Sequence, residues 1–307
     1  MDSKGLSMNL VKSPLRYPGG KSRAIKFLCQ YFPNYFKIYK EPFFGGGSVG
    51  IYIAQIMNNI QIDVNDLNYE LYCFWQSLKI HPNKLIEGII ELKNRFKNGK
   101  DLYNFILYRR ESNLSILERG IDFFILNRIT FSGIVDSGGF SQKAYESRFT
   151  TSSIDRLKNT HKIIKNFNFS SDNFFNLIDI DTKNQKETFI FLDPPYYSSV
   201  KSKLYGKKGI LHLNFNHKNL RDYLYKIKSK FLLTYDNCEF IRELYKDFYT
   251  LEWNLQYGMN NYKQKKASIG KELLISNYDL KFYNNSSYDK NVKELYLNKR
   301  LQSFFCS

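Results

Sequence analysis

The stretch Asp193-Pro194-Pro195-Tyr196 carries the residue types best suited to chemistry. It follows the apolar run Phe189-Ile190-Phe191-Leu192, so a buried strand would end in an acid, two prolines and an aromatic ring. Ligands on open α/β sheets bind at the carboxyl ends of strands. Two prolines fix φ and remove backbone donors, which makes the turn rigid. Asp193 can accept a hydrogen bond from an amino group, and the Pro194 carbonyl can accept a second. Tyr196 offers a π face to a planar base. Together these suit an exocyclic amine that must be held and made more nucleophilic. The competing reading is a structural turn whose aspartate caps a neighbouring segment.

A second element is Glu41-Pro42-Phe43-Phe44-Gly45-Gly46-Gly47-Ser48-Val49-Gly50, with G-x-G-x-x-G at Gly45, Gly47 and Gly50. Such glycines permit a tight turn and let backbone approach a nucleoside ligand. Asp63 and Asp66 lie about 20 residues on, where an acid would hold ribose hydroxyls. A dinucleotide-binding dehydrogenase fits this motif alone but has no use for Asp193–Tyr196. Upstream, Pro14-Leu15-Arg16-Tyr17-Pro18-Gly19-Gly20-Lys21-Ser22 ends like a phosphate-binding P-loop. Leu15 stands where its first glycine belongs and no strand precedes it, so that reading is rejected.

These residues need elements to position them. The spacing predicts strands at Phe36–Glu41, Ile60–Val64, Asn168–Ser170, Thr188–Leu192, Phe231–Thr234, Tyr249–Asn254 and Glu272–Ser276. It predicts helices at Ser48–Met57, Leu85–Phe96, Asp101–Arg110, Ile116–Arg128, Ser152–Asn166, His217–Lys228 and Asn237–Tyr245, with a weak one at Asn291–Phe305. The Gly/Ser-rich stretch Thr130–Phe149 reads as a hairpin or long loop. Short apolar strands alternating with helices imply an α/β fold, a mostly parallel sheet with helices on both faces. The expected division is a discontinuous domain at 10–78 and 150–280, a mainly helical insert with a hairpin at 79–149, and an extension at 281–307.

The chain has 307 residues, 43% hydrophobic and 24% charged, enough to bury a core. Its net charge of +17 points to a polyanion such as nucleic acid, although Lys-rich coding bias would also produce it. Met1–Asn9 has no apolar signal region, and no apolar run approaches the roughly 18 residues of a membrane span. Cys29, Cys73, Cys238 and Cys306 form no pair motif, which fits a reducing, cytoplasmic setting. His81, His161, His212 and His217 lack metal-ligand spacing, so no metal is expected.

Leu15–Lys21, Glu41–Ser48, Asn65-Asp66-Leu67-Asn68 and Asp193–Tyr196 stand in one order. This order resembles the deoxyadenosine methylase (Dam-type) family of S-adenosylmethionine-dependent DNA adenine methyltransferases, over roughly residues 10–280. The resemblance implies a class I methyltransferase (Rossmann-like) fold. It implies methyl transfer from S-adenosyl-L-methionine, leaving S-adenosyl-L-homocysteine, to N6 of an adenine flipped out of double-stranded DNA, without a metal. Tyr17 and Lys21 would contact the cofactor. Phe44, Gly45 and Gly47 would lie under its methionine part, Asp66 would bind its ribose, and Phe174 would pack on its adenine. Asp193, Pro194 and Tyr196 would be catalytic, with Asp193 facing cofactor and base alike. The insert would be the target-recognition domain, with Arg128, Phe131, Ser132, Gly133 and Asp136 at the DNA. Family members that read GATC carry Tyr-Asn before that glycine and Arg three residues after it. Here Phe131-Ser132 precedes Gly133 and Asp136 follows, and an acid accepts from cytosine rather than donating to guanine, which argues against GATC. A cognate restriction endonuclease is a candidate partner, and the cytoplasm, at the nucleoid, is the implied location. The alternatives are methylation of cytosine's exocyclic amine or of RNA, and a catalytically silent DNA-binding protein.

Overall fold

The computed structural model describes residues 10–178, 184–197, 215–256 and 269–280. Seven strands form one sheet: β1 (Ile38–Glu41), β2 (Gln61–Asn65), β3 (Phe167–Ser170), β4 (Thr188–Leu192), β5 (Lys230–Asp236), β6 (Tyr249–Gln256) and β7 (Ile269–Ser276). Their order is β3-β2-β1-β4-β5-β7-β6. The first five run parallel to one another, and β7 runs antiparallel to β5 and β6. This is the mostly parallel α/β sheet, of class I methyltransferase type, that the sequence predicts.

Burial explains the strand pattern. Every residue of β4 is buried. Phe189 and Phe191 enter the core on one face of the sheet, and Ile190 and Leu192 enter the core on the other. A strand covered on both faces therefore reads as a continuous apolar run.

Eleven helices cover the sheet among the described residues: α1 (Ile25–Leu28), α2 (Ser48–Ile56), α3 (Tyr69–Ile80), α4 (Pro82–Arg95), α5 (Gly99–Arg109), α6 (Ile116–Ile129), α7 (Gln142–Arg148), α8 (Thr151–Ile164), α9 (Phe174–Ile178), α10 (His217–Leu224) and α11 (Glu239–Leu244). The first eight contribute to one core, and α9, α10 and α11 to the other. Six of them, α3 to α8, fill the connection between β2 and β3. The inserted helices and the sheet share one continuous apolar core, in which Leu85, Leu102 and Phe124 join Val64 and Phe189.

Three features depart from the sequence-based expectation. Helix α3 has no counterpart there, and it carries the chain across the expected boundary at residue 78. Its start is set by Asn68, whose side chain accepts the Leu71 N–H, and Leu71, Cys73, Phe74, Trp75, Ser77 and Leu78 are buried along it. The expected hairpin in Thr130–Phe149 reduces to one antiparallel bridge, Thr130 to Phe140, followed directly by α7. Ser141 caps α7 by accepting the Ala144 N–H, and this diverts the returning strand into a helix. Helix α6 is buried from Gly120 to Ile129 on all sides, Asp122, Asn127 and Arg128 included. The expected helix at Asn291–Phe305, His212 and Cys306 lie outside the described residues.

Candidate active site

Strand order reverses between β1 and β4, so chain leaving their carboxyl ends turns to opposite sides. Such a switch point leaves a crevice for ligand. Here it is a cavity of about 920 Å³, reached by the turns after β1, β2, β3, β4 and β5.

Strand β1 ends in Glu41, 3% exposed. Its Oε2 accepts the Tyr39 hydroxyl at 2.9 Å and the Gly50 N–H at 2.9 Å. Gly50 lies in the first turn of α2, so the carboxylate satisfies a donor that the helix cannot. Burial pushes the Glu41 carboxyl well above the usual range, and the nearby Asp193 and Asp66 add to this.

The turn between β1 and α2 is pinned from several sides. The Phe44 N–H donates to the Asn65 carbonyl at 2.9 Å, and the Gly47 N–H to the Phe44 carbonyl at 2.8 Å. The Trp75 indole of α3 donates to the Gly45 carbonyl at 3.0 Å. Gly45 and Gly47 have φ of +49° and +68°. A Cβ on Gly45 would lie 2.7 Å from the Tyr17 ring, and one on Gly47 would lie 2.5 Å from the Phe44 ring. Only glycine fits at either position. Tyr17 thus covers the turn from the cavity side. Phe44 is buried beneath it, with its ring edge-on to Trp75 at 5.1 Å.

Asp66, just beyond β2, meets this turn. Its Oδ2 accepts the Gly45 N–H at 2.8 Å, and its Oδ1 accepts the Asn68 N–H at 2.9 Å. Burial raises its pKa to about 6 despite these bonds. The adjacent Asn65 ties three segments together: its amide donates to the Pro42 and Asp172 carbonyls, and its oxygen accepts the Asp172 N–H. Beyond β3, Phe174 lines the cavity with Phe43 at 5.2 Å.

Asp193 leaves the end of β4 on the same cavity. Lys21 Nζ lies 2.7 and 2.8 Å from its two oxygens, and Lys21 is only 3% exposed. The Thr234 hydroxyl of β5 donates to Oδ1 at 2.7 Å. Lys21 also sits 5.0 Å from the centroid of the Tyr196 ring. The Tyr197 N–H donates to Asp236, at the end of β5, at 2.9 Å, which anchors the turn after Tyr196. Pro194 is buried and lines the cavity beside Asp193.

All the expected cofactor and catalytic residues, Tyr17, Lys21, Phe44, Gly45, Gly47, Asp66, Phe174, Asp193, Pro194 and Tyr196, line this one cavity. Two differ from expectation in detail: the Phe44 ring supports the turn from the core, and Lys21 holds Asp193. Glu41, Trp75, Asn65 and Asp236 carry no individual role in the sequence reading, and Thr234 is only the end of an expected strand. A strand-final acid before Pro42 is the one signal that marks Glu41 in the sequence.

The expected DNA-contacting group behaves differently. Phe131 is 59% exposed. Ser132 is half-buried in the left-handed region at φ +55°. Gly133 is buried, and its carbonyl accepts from the Asn127 side chain at 3.0 Å. The same Asn127 side chain holds the Arg16 backbone, accepting its N–H at 3.0 Å and donating to its carbonyl at 2.8 Å. Arg128 is 4% exposed, packed on the Phe124 ring. Asp136 is ion-paired with Arg110 at 3.3 Å, and Arg110 also faces Glu70. Asp136 therefore has an intramolecular partner on one of its two carboxylate oxygens.

A family model described as D12 class N6 adenine-specific DNA methyltransferase matches residues 17–259. Modification methylase StsI of Streptococcus sanguinis is 26% identical over 297 residues, 89% of this chain, but this chain spans only 44% of its length. Type II methyltransferase M.CviBI of Paramecium bursaria Chlorella virus NC1A is 24% identical, covering 89% of this chain and 100% of that protein. Type II methyltransferase M.MjaIII of Methanocaldococcus jannaschii is 26% identical, with 87% and 99% covered.

Proposed function

The chain belongs to the D12 class N6 adenine-specific DNA methyltransferases, and from that premise we propose the following reaction. It transfers a methyl group from S-adenosyl-L-methionine to N6 of an adenine flipped out of a short, specific sequence in double-stranded DNA. Its biological setting is restriction–modification, with a cognate endonuclease as partner, in the cytoplasm at the nucleoid. Residues 10–78 and 150–280 serve catalysis, and 79–149 serve target recognition. Names of the similar type II methyltransferases support this setting.

The observation that carries the reading is the meeting of Asp193, the Gly45–Gly47 turn and Asp66 on one cavity. The residues fit the cofactor. Glycine at 45 and 47 lets the turn close tightly against the Tyr17 and Phe44 rings, and the turn and Tyr17 together line the space for the ligand. Asp66 is oriented by two N–H groups and keeps acceptor capacity for ribose hydroxyls. Phe174 and Phe43 offer rings to a nucleobase. Pockets for a single drug-sized ligand run to roughly 1,000 Å³, and a cavity near that limit has room for cofactor and an inserted base.

When bound, S-adenosyl-L-methionine supplies an electrophilic methyl group on a sulfonium. Asp193 accepts one N6 hydrogen and the Pro194 carbonyl accepts the other, which aims the nitrogen lone pair along the line of transfer. Lys21 and Thr234 fix the carboxylate so that little ordering is left for the reacting complex. Tyr196 stacks on the extruded base and recovers part of the unstacking cost of a few kcal/mol. After transfer the nitrogen is cationic and still carries both hydrogens, and Asp193, which already accepts one of them, can take or relay that proton.

Plasmid DNA methylated by the purified protein, then read by single-molecule sequencing that reports modified bases, tests this. N6-methyladenine at one recurring sequence is the expected result. Modified cytosine, or no modification of DNA with cofactor bound, would overturn it in favour of a cytosine or RNA substrate.

A further inference from the structure

Arg16, Arg128, Arg148 and Arg156 come from four segments and interact electrostatically through Arg128. Arg128 of α6 is 4% exposed, and its Nε and Nη2 have no hydrogen-bond partner among the described residues. Arg16, next to Tyr17, is half-buried, and its Nη1 is likewise buried without a partner. Arg148, at the end of α7, and Arg156, in α8, are exposed. All three others lie within electrostatic reach of Arg128, and Arg148 also acts on Arg16. Burial and these neighbours push the Arg128 pKa down to about 9, so it is still cationic at neutral pH.

None of the four enters an ion pair among the described residues, whereas other arginines of the insert do. Arg109 pairs with Asp122, Arg110 with Asp136 and Glu70, and Arg119 with Glu70. A buried guanidinium without an acceptor has lost its hydration without compensation, which destabilises the free protein. The ligand that removes this cost is an anion with several acceptor oxygens, because the guanidinium fork matches phosphate geometry. In such a site the buried Arg128 and half-buried Arg16 would be the floor and the exposed Arg148 and Arg156 the rim.

We propose that Arg16, Arg128, Arg148 and Arg156 form a phosphate site that takes a phosphodiester of the DNA backbone. The identity of the phosphate as DNA rests on the methyltransferase reading, and the net charge of +17 favours a polyanion over a free ion. The site has a mechanical consequence. Asn127, beside Arg128, grips both backbone groups of Arg16, and Arg16 precedes the Tyr17–Lys21 loop that covers the glycine turn and holds Asp193. A phosphate seated on the cluster therefore ties DNA engagement to the segment that closes the cofactor cavity.

Three measurements on the full chain test this. The first is thermal unfolding of the wild type and Arg128→Met in inorganic phosphate and in chloride at equal ionic strength. The second is the salt dependence of duplex binding by the wild type and an Arg148→Gln/Arg156→Gln variant, whose changes are on the surface and spare the core. The third is titration of each with S-adenosylmethionine. Phosphate should raise the wild-type melting temperature and leave Arg128→Met unmoved. Without phosphate, Arg128→Met should melt no lower than wild type, since a buried unpaired charge is removed. The rim variant should bind duplex about tenfold more weakly. Its log–log salt slope should be shallower by about 0.9 for each phosphate that the variant no longer neutralises. Its cofactor affinity should match wild type.

Loss of stability in Arg128→Met in every buffer, with an unchanged salt slope in the rim variant, would make the cluster purely structural and overturn the proposal. A phosphate-dependent rise with an unchanged salt slope would assign the site to a free anion and overturn the DNA source. None of these readouts measures turnover, so a failure of the methyltransferase reading would show separately, as a wild type that binds DNA and cofactor without methylating.

Discussion

The crevice at the carboxyl ends of β1 and β4 and the turn after α6 were both expected to meet substrate, yet they use polar residues in opposite ways. In the crevice, Asp66 and Asp193 are oriented by protein donors and still face a cavity. In the turn, Asn127 and Asp136 bond to Arg16, Gly133 and Arg110 and do not line that cavity. The first is a preorganised site, and the second fastens the helical insert to the segment that leads into Tyr17–Lys21. A polar residue acts on ligand only where the fold both orients it and opens it to the space that the ligand enters.

Substitutions at the crevice should break this contrast most severely. Asp193→Ala should lower kcat by more than about 1000-fold, because it removes the group that orients the amine. It should also destabilise by roughly 3 kcal/mol, because Lys21 is left buried without its partner. Lys21→Met/Asp193→Ala should regain melting temperature and no activity, as read by thermal unfolding and methyl transfer. Gly47→Ala is next. Its Cβ meets the Phe44 ring and its φ is strained, so a loss of about 1–3 kcal/mol and more than tenfold weaker cofactor binding by calorimetry are expected.

The Asp66 carboxyl gives a pH signature. Its pKa is about 6 in the folded protein, above the roughly 3.9 of a free aspartate. Between those values the folded state holds the extra proton, so this group's effect on stability becomes less favourable as pH rises from about 4 to 6 and is constant above. Cofactor affinity runs the other way, since ribose hydroxyls need the ionised acceptor. Affinity should fall about tenfold per pH unit below about 6, and Asp66→Asn should flatten that limb of the profile. The smallest effect is expected in the turn. Ser132 occupies a left-handed conformation that costs a non-glycine residue about 1–2 kcal/mol. Ser132→Gly should therefore stabilise by up to about 1 kcal/mol in denaturant unfolding, with cofactor affinity unmoved.

The crevice was legible in the sequence because its residues are local. A strand-final acid, a glycine turn and Asp-Pro-Pro-Tyr each announce themselves within ten residues, and β4 matches its expected bounds residue for residue. What reaches the site from a distance was not legible. The Trp75 indole comes from α3, whose aromatic and apolar residues obscure a helical stripe, and the Thr234 hydroxyl comes from a neighbouring strand. In the insert, the burial of Arg128 and the pairing of Asp136 with Arg110 are products of packing around α6. No spacing rule encodes them: residue type alone showed neither the partner that Asp136 finds in Arg110 nor the depth at which Arg128 lies.

The contrast is tested most directly by single-turnover methyl transfer to a duplex containing the enzyme's own recognition sequence, comparing Asp193→Ala with Asp136→Asn. The account predicts collapse of the first by more than about 1000-fold and a second within about twofold of wild type, since a neutral partner for Arg110 costs only a largely buried ion pair at the scaffold. A silent Asp136→Asn beside an active Asp193→Ala would contradict it.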